Sequence, residues 1–369
     1  MKSLTSTPVE VLYRRLQQKQ IPALDGMRMV AVLLVVLYHF GFSAVPGSHG
    51  VMVFFVLSGF LITWLLLEEQ ATTGTISITG FYWRRTLRIF PAFYAFWFFV
   101  IGVGLVRNGE SPSAHAWSAF FYVSNYYSAL NDHPVSAFSH TWSLGIEEQF
   151  YLIWPFVFLR CHGNLRLLTR LLTTVIVCVG AYRAVLLYFA SVEHSYVYSA
   201  FDTRVDQLMT GALIAVVLKR RVLETFWTAA CSRPSAPLLT AAILAMSIWY
   251  GESSGGHYRY AIGFTIEPIL CGILLIQVVA LCHSPMWSWL ESVPARFLGR
   301  ISYPLYLYQQ ITLYPVRRLL VMAPMLVQFT AALLVTVGVA SLSYYVIERP
   351  FLRLKRGRLP VQRTAPATS

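Results

Sequence analysis

Residues 21–40 read IPALDGMRMVAVLLVVLYHF. From Met27 onward the run is apolar, broken by Arg28 near its start and His39 near its end, and it reads as the start of a membrane helix. Arg28 and His39 are eleven residues apart. At about 100° per residue, that spacing is three turns plus about 20°. The two side chains therefore share a face, about 16 Å apart along the axis. Hydrocarbon is about 30 Å thick, so an Arg28 at one interface puts His39 near or just past the midplane. Asp25 falls near the same face, one turn before Arg28. An ionisable group at that depth is costly and marks a functional candidate. The bland reading is an interfacial arginine and a buried histidine bonded to a neighbouring helix.

The rest of the 369-residue chain has the same character: 56% of residues are hydrophobic and only 12% charged. A soluble protein carries about twice that charged fraction. The mean hydropathy is +0.57. Apolar runs of membrane length recur throughout, which makes this an all-α, polytopic membrane protein. The first 20 residues are polar and lack the apolar core of a cleavable signal peptide, so the first helix is expected to be retained. The net charge of +13 would suggest nucleic acid in a soluble protein. Here the positive-inside rule explains it, and no nucleic-acid partner is expected. Cys161, Cys178, Cys231, Cys271 and Cys282 show no metal or redox spacing and are expected to be free thiols.

Residues 1–26 form a basic, cytoplasmic N-terminal segment with room for a short interfacial helix. Residues 27–351 form a transmembrane domain, and residues 352–369 a basic cytoplasmic tail. Ten helices are expected, over 27–44, 50–67, 90–106, 142–159, 168–190, 205–218, 236–250, 261–282, 301–316 and 326–347. Ten spans with the N-terminus inside place both termini in the cytoplasm, in a multi-pass protein of the inner (plasma) membrane. Of the 29 Lys and Arg, all but Arg107, Arg183, Arg204, Arg259, Arg317 and Arg318 then fall on the cytoplasmic side. Residues 107–139 become an outside loop whose aromatic patch, AFFYVSNYY, reads as interfacial. Arg183 and Arg204, inside helices or at their mouths, are further candidates.

Four patterns now line up: Arg28-x10-His39; GVMVFFVLSGFLIT (50–63); RRTLRIFPAFY with Arg85-x-x-Arg88; and HTWSLGIEEQFYLIWP (140–155). With FDTRVDQLMTGALIA, and LGRISYPLYLY running to a terminal IERPF, they resemble the acyltransferase 3 family of integral membrane acyltransferases. The resemblance spans residues 21–351, and the order and spacing of the motifs carry it. It implies transfer of an acyl group, usually acetyl, from cytoplasmic acyl-CoA to a hydroxyl. Acceptors in the family include O-antigen, exopolysaccharide, peptidoglycan, lipo-oligosaccharides and macrolides. The motif positions that match the family's functional ones are Arg28, His39, Arg85, Arg88, Glu147 and Glu148. Members with an extra esterase-like domain are longer, and only the membrane domain is expected here. Two positions depart from the pattern. Many relatives carry an acidic residue where Met52 stands and a histidine where Gln309 stands, and glutamine cannot serve as a base.

The chemistry of the residues agrees. Acyl transfer to an alcohol needs a base for the hydroxyl proton, and histidine suits neutral pH; His39 is the leading candidate. Arg85 and Arg88 share a helical face at the cytoplasmic entrance and suit CoA phosphates. The bland reading of RRTLR is a topology anchor. Glu147 and Glu148 point about 100° apart, so one is expected to orient His39 or an arginine and the other to face the headgroups. Their bland reading is two acids in the first turns of a helix. Ser58 in LSGF reads as a packing residue, and no GxSxG elbow occurs. Arg204 and Asp206 either line the acceptor pathway or pair across helices. No metal is implied, because His39, His49 and His140 lack HExxH-type spacing. The expected partners are acyl-CoA, a glycan or glycolipid acceptor and the lipid bilayer, with a homo-oligomer left open. A glycolipid transporter or flippase is the alternative from another class, and no internal repeat supports it. A catalytically dead sensory relative is weakened by the intact set of motif residues.

Overall fold

The structure is a computed structural model that describes residues 7–18, 20–190 and 192–354. Among them every regular element is helical. In chain order these are α1 (Pro8–Leu16), α2 (Pro22–Phe40), α3 (Gly47–Thr73), α4 (Ile78–Asn108), α5 (Ala114–Phe120), α6 (Ser124–Leu130), α7 (Trp142–Arg160), α8 (Leu165–Tyr188) and α9 (His194–Ser199). There follow α10 (Val205–Lys219), α11 (Glu224–Ala230), α12 (Ala236–Ser253), α13 (Phe264–Leu281), α14 (Val293–Arg300), α15 (Ser302–Leu319), α16 (Met325–Ser343) and α17 (Arg349–Leu354). Short π-helical turns, Arg259–Gly263 and Tyr344–Glu348, lead into α13 and α17.

Among the described residues, six stretches are long and apolar enough to cross a membrane by themselves: α2, α3, α4, α8, Arg259–Leu281 and Met325–Leu354. The segments expected as the other four spans are helical, as α7, α10, α12 and α15, but each is shorter or more polar than those six. The α10 helix has only 15 residues, below the roughly 20 that a span needs. Exposed Leu65, Phe98, Phe156, Leu239, Leu334 and Leu342 give the surface the apolar belt of a protein solvated by lipid.

The first helix begins at Pro22, five residues earlier than the sequence suggested. Proline is favoured at a first helical position. Asp25 and Arg28, which look like polar flanks, pair with each other at 3.1 Å inside the helix. Gly41, at φ +122°, ends it. The third expected span, 90–106, is the C-terminal part of a 31-residue helix whose first turns carry Arg84, Arg85 and Arg88. At about 46 Å, α4 is longer than the hydrocarbon is thick. The N-terminal segment does contain a helix, α1, started by a Thr7/Glu10 capping box. It docks on protein: Tyr13 donates to the Leu218 carbonyl, Trp64 donates to that of Leu16, and Arg15 pairs with Glu291. The tail beyond residue 354 lies outside the described residues.

The centre of the fold is the crossing of α3 and α10. A Cβ on Gly59 would strike the Leu208 carbonyl, and one on Gly211 would strike that of Val56. The two glycines therefore allow the backbones to touch, as small residues do between membrane helices. Glu68–Lys219 and Glu69–Arg84 ion pairs tie α10 and α4 to the far end of α3. The expected loop 107–139 folds back as α5 and α6, with Trp97 donating to the Ala116 carbonyl and Phe93 packed on Tyr122.

Candidate active site

The polar residues inside the bundle gather into two centres, and α2 carries one residue of each. Arg28 belongs to the first. It lies within charge–charge range of Arg85 and Arg88. Arg85 stacks over the rings of Tyr151 and Phe81, at 5.1 and 5.8 Å. Arg88 is exposed. Among the described residues, neither Arg85 nor Arg88 has a carboxylate within ion-pair distance. Three arginines held together with one short carboxylate pairing are a ready anion site.

Glu147 and Glu148 close this centre from α7. Glu147 accepts from the Ser58 hydroxyl at 3.0 Å and from the Tyr151 hydroxyl at 3.2 Å. Both carboxylates lie within range of Arg85, and both are half-buried. Of the two acids, Glu147 is the one held by hydrogen bonds. Ser58 spends its proton on Glu147, as befits a packing residue with a satisfied hydroxyl.

The second centre is a cavity of about 1820 Å³ at the other end of α2. Its walls are the end of α2, the 43–48 turn, the last turns of α4, α12 and α15, and the segment 132–142. His39 is in the last turn of α2 and lines this cavity. It therefore faces an open chamber at the helix end. Its Nδ1 lies 2.9 Å from the Val35 carbonyl. A carbonyl only accepts, so Nδ1 carries the proton and Nε2 keeps its lone pair. Among the described residues no carboxylate orients the ring; the backbone of its own helix does. His133 and His140 are near enough to sense its charge. His140 is buried edge-on between Phe96 and Tyr306, whose hydroxyl donates to the His140 carbonyl at 2.8 Å.

The acyltransferase domain model matches residues 21–345. The chain belongs to the acyltransferase 3 family. The peptidoglycan O-acetyltransferase OatA of Listeria monocytogenes is 32% identical over 365 residues, covering 91% of this chain and 56% of that protein. The O-acetyltransferase OatA of Staphylococcus aureus is 29% identical over 362 residues, covering 92% of this chain and 59% of that protein. The chain thus spans somewhat over half the length of these relatives. No solved structure matches it.

Within this acyltransferase fold, Arg204 and Asp206 lie apart from both centres. Asp206 is paired with Arg183 at 2.7 Å, and that guanidinium also donates to the Thr203 carbonyl and the Thr265 hydroxyl. Of the two sequence readings for Asp206, this is the pairing across helices. Arg204 is buried in an aromatic cage, its guanidinium 3.9 Å from the Phe264 ring centre, 5.2 Å from Tyr198 and 5.6 Å from Trp142. Neither residue lines the cavity, although Tyr198 and Trp142 do. Met52 and Gln309, the two departures from the family pattern, are both buried, and the Gln309 amide makes no hydrogen bond.

The sequence reading passed over one polar cluster. His49 Nε2 meets Glu267 at 3.0 Å, Ser48 Oγ lies 3.3 Å from His49 Nδ1, and Arg259 donates to Ser48 Oγ at 2.7 Å. The available signal was Glu267, a lone carboxylate in the apolar run FTIEPILCGILLIQVVAL.

Proposed function

We propose that this protein is a membrane O-acyltransferase that moves an acyl group, acetyl in the first instance, from acyl-CoA to a hydroxyl of a glycan or glycolipid. The donor docks at the arginine centre and the acceptor enters the cavity. His39 is the general base. The observation that carries this reading is the tautomer of His39: a ring held through Nδ1, with a bare Nε2 on the wall of a large chamber. The two relatives are O-acetyltransferases, that of Listeria monocytogenes acting on peptidoglycan, which supports a glycan acceptor.

In this reading Arg85 and Arg88 bind CoA phosphates, with Arg28 adding charge beside them. Glu147 and Glu148 hold the arginines apart and limit their repulsion. Arg28 and His39 are about 16 Å apart along α2, a gap the extended pantetheine arm is suited to bridge. Nε2 of His39 takes the acceptor proton as the hydroxyl oxygen attacks the acyl carbonyl. The carbon–sulfur bond breaks, and the thiolate of CoA leaves and is protonated. CoA does not cross a bilayer, so the arginine centre faces the cytoplasm and the cavity faces outward. That orientation matches the positive-inside count, with both termini inside an inner (plasma) membrane.

Detergent-purified protein supplied with acetyl-CoA and an N-acetylglucosamine oligosaccharide tests the reading. The expected result is release of free CoA thiol together with an acetyl ester on the sugar, seen by mass spectrometry. Folded protein that neither binds acetyl-CoA nor consumes it with any hydroxyl acceptor overturns it.

A further inference from the structure

The cavity has a second reactive wall. Ser48 and Arg259 line it, and His49 lies directly behind them, buried. Glu267 is fully buried. Its Oε2 faces His49 Nε2 at 3.0 Å, and its Oε1 accepts from Ser247 at 3.0 Å. A carboxylate accepts, so Nε2 carries the proton, and in the neutral ring Nδ1 is the bare nitrogen. The atom facing that nitrogen is Ser48 Oγ, at 3.3 Å. The hydroxyl therefore donates to Nδ1. Arg259 completes the group: Nη2 donates to Ser48 Oγ at 2.7 Å, Nη1 pairs with Glu252 at 2.8 Å, and Nε makes no hydrogen bond.

The roles are those of a nucleophile, its base and the acid that fixes the base, a constellation recognised by geometry and not by residue order. A structural ion pair would need only His49 and Glu267. It would not account for an open-facing serine bridging the base and a guanidinium. We propose that Ser48 is an acyl-accepting nucleophile, activated by His49 and Glu267, and that the acyl group pauses on it between donor and acceptor. This rests on the acyl-CoA-dependent transfer proposed above, and it turns one displacement into two. In the first, Ser48 Oγ attacks the thioester carbonyl and gives its proton to His49 Nδ1. The carbon–sulfur bond breaks, and the thiolate leaves as CoA, which is then protonated. Arg259 stands beside the charge that develops on oxygen. In the second, the acceptor hydroxyl loses its proton to His39 Nε2 and attacks the Ser48 ester. The Oγ–acyl bond breaks, and Oγ recovers its proton from His49. Two bases thus serve two half-reactions in one chamber, and CoA and the glycan need never bind together.

The test uses the full chain in detergent with acetyl-CoA carrying an isotopically heavy acetyl group and no acceptor. Acid-quenched samples are digested and read by mass spectrometry. The expected result is a stoichiometric burst of free thiol and a heavy acetyl ester on the peptide containing Ser48. Ester occupancy should be higher in His39→Ala, which lacks the base for the second step. Ser48→Ala should lose the burst, the ester and transfer to the oligosaccharide, while its thermal unfolding in detergent stays at wild type. Because His49→Gln and Glu267→Gln leave a buried group unpaired and can fail to fold, the decision rests on Ser48→Ala, at the cavity wall. A parallel sample with p-nitrophenyl acetate needs no CoA site. A burst and ester at Ser48 there, with acetyl-CoA inert, keeps the nucleophile and overturns the donor reading instead. Wild-type transfer with no ester at Ser48 in either protein, a Ser48→Ala variant that transfers at the wild-type rate, or folded wild type silent towards both donors overturns the inference.

Discussion

His39 holds its Nδ1 2.9 Å from the carbonyl of Val35, one turn back along α2. The bond fixes the tautomer and leaves Nε2 bare on a residue that lines the cavity, and the proposed base is thus oriented by its own helix. His39→Ala is therefore expected to lower acetyl transfer by about 10²- to 10⁴-fold, the usual worth of a general base. Expression and membrane insertion should not change. Acetyl-CoA should still bind, because the arginine centre is untouched. Turnover by purified His39→Ala at the wild-type level removes the assignment.

Arg88 is exposed and has no ion-pair partner within 4 Å among the described residues, so its substitution breaks no direct contact of that kind. A hydrogen bond to a charged group contributes about 1.5–3 kcal/mol. Arg88→Ala is expected to weaken acetyl-CoA binding by roughly ten- to a hundredfold, raising KM while sparing kcat. Arg88→Lys should restore only part, because the two-pronged fork is lost. Calorimetry on detergent-purified protein gives the affinity. Unchanged affinity in folded Arg85→Ala and Arg88→Ala would make RRTLR a topology anchor and move the donor site elsewhere.

How far the sequence could be read follows from what each residue's signal depends on. Apolar runs are local, so the helices were legible, and Arg28 and His39 stood out as ionisable groups in one such run. Their environments were not legible. Depth depends on where a helix ends, and Gly41 ends α2 just past His39, opening that histidine to a chamber. Glu147 and Glu148 were legible as a pair, but their common approach to Arg85 depends on the reach of a side chain from α4. Ser48 and His49 sit in the first turn of α3 and gain meaning only through Glu267 and Arg259, over two hundred residues away. A lone acid in an apolar helix was the one clue to that contact.

Orientation is open to direct test. A cysteine introduced at Val135, which is 99% exposed in the 107–139 segment, should react with an impermeant maleimide in intact cells. A cysteine introduced at Thr364, in the basic tail, should react only after the cells are opened. The native exposed thiol, Cys178, is replaced by serine in the background used for both. The reverse pattern overturns the topology and with it the cytoplasmic route for CoA.

The Arg183–Asp206 pair separates a structural role from a pathway role. Both side chains are buried, at 0% and 1% exposure, and their contact is 2.7 Å. Removing one partner leaves an uncompensated charge, a loss of about 3–5 kcal/mol for a buried pair. Arg183→Met and Asp206→Leu are each expected to lower the unfolding temperature in detergent markedly. The double variant replaces two charges by apolar groups of fitting shape and should recover much of that loss. The shortfall from additivity measures the coupling directly. Activity per folded molecule decides the rest. A structural pair predicts that the double variant transfers acetyl groups at close to the wild-type rate. An Asp206→Leu protein that keeps its stability but loses transfer would place Asp206 on the acceptor's path, with Arg183 as its counter-ion.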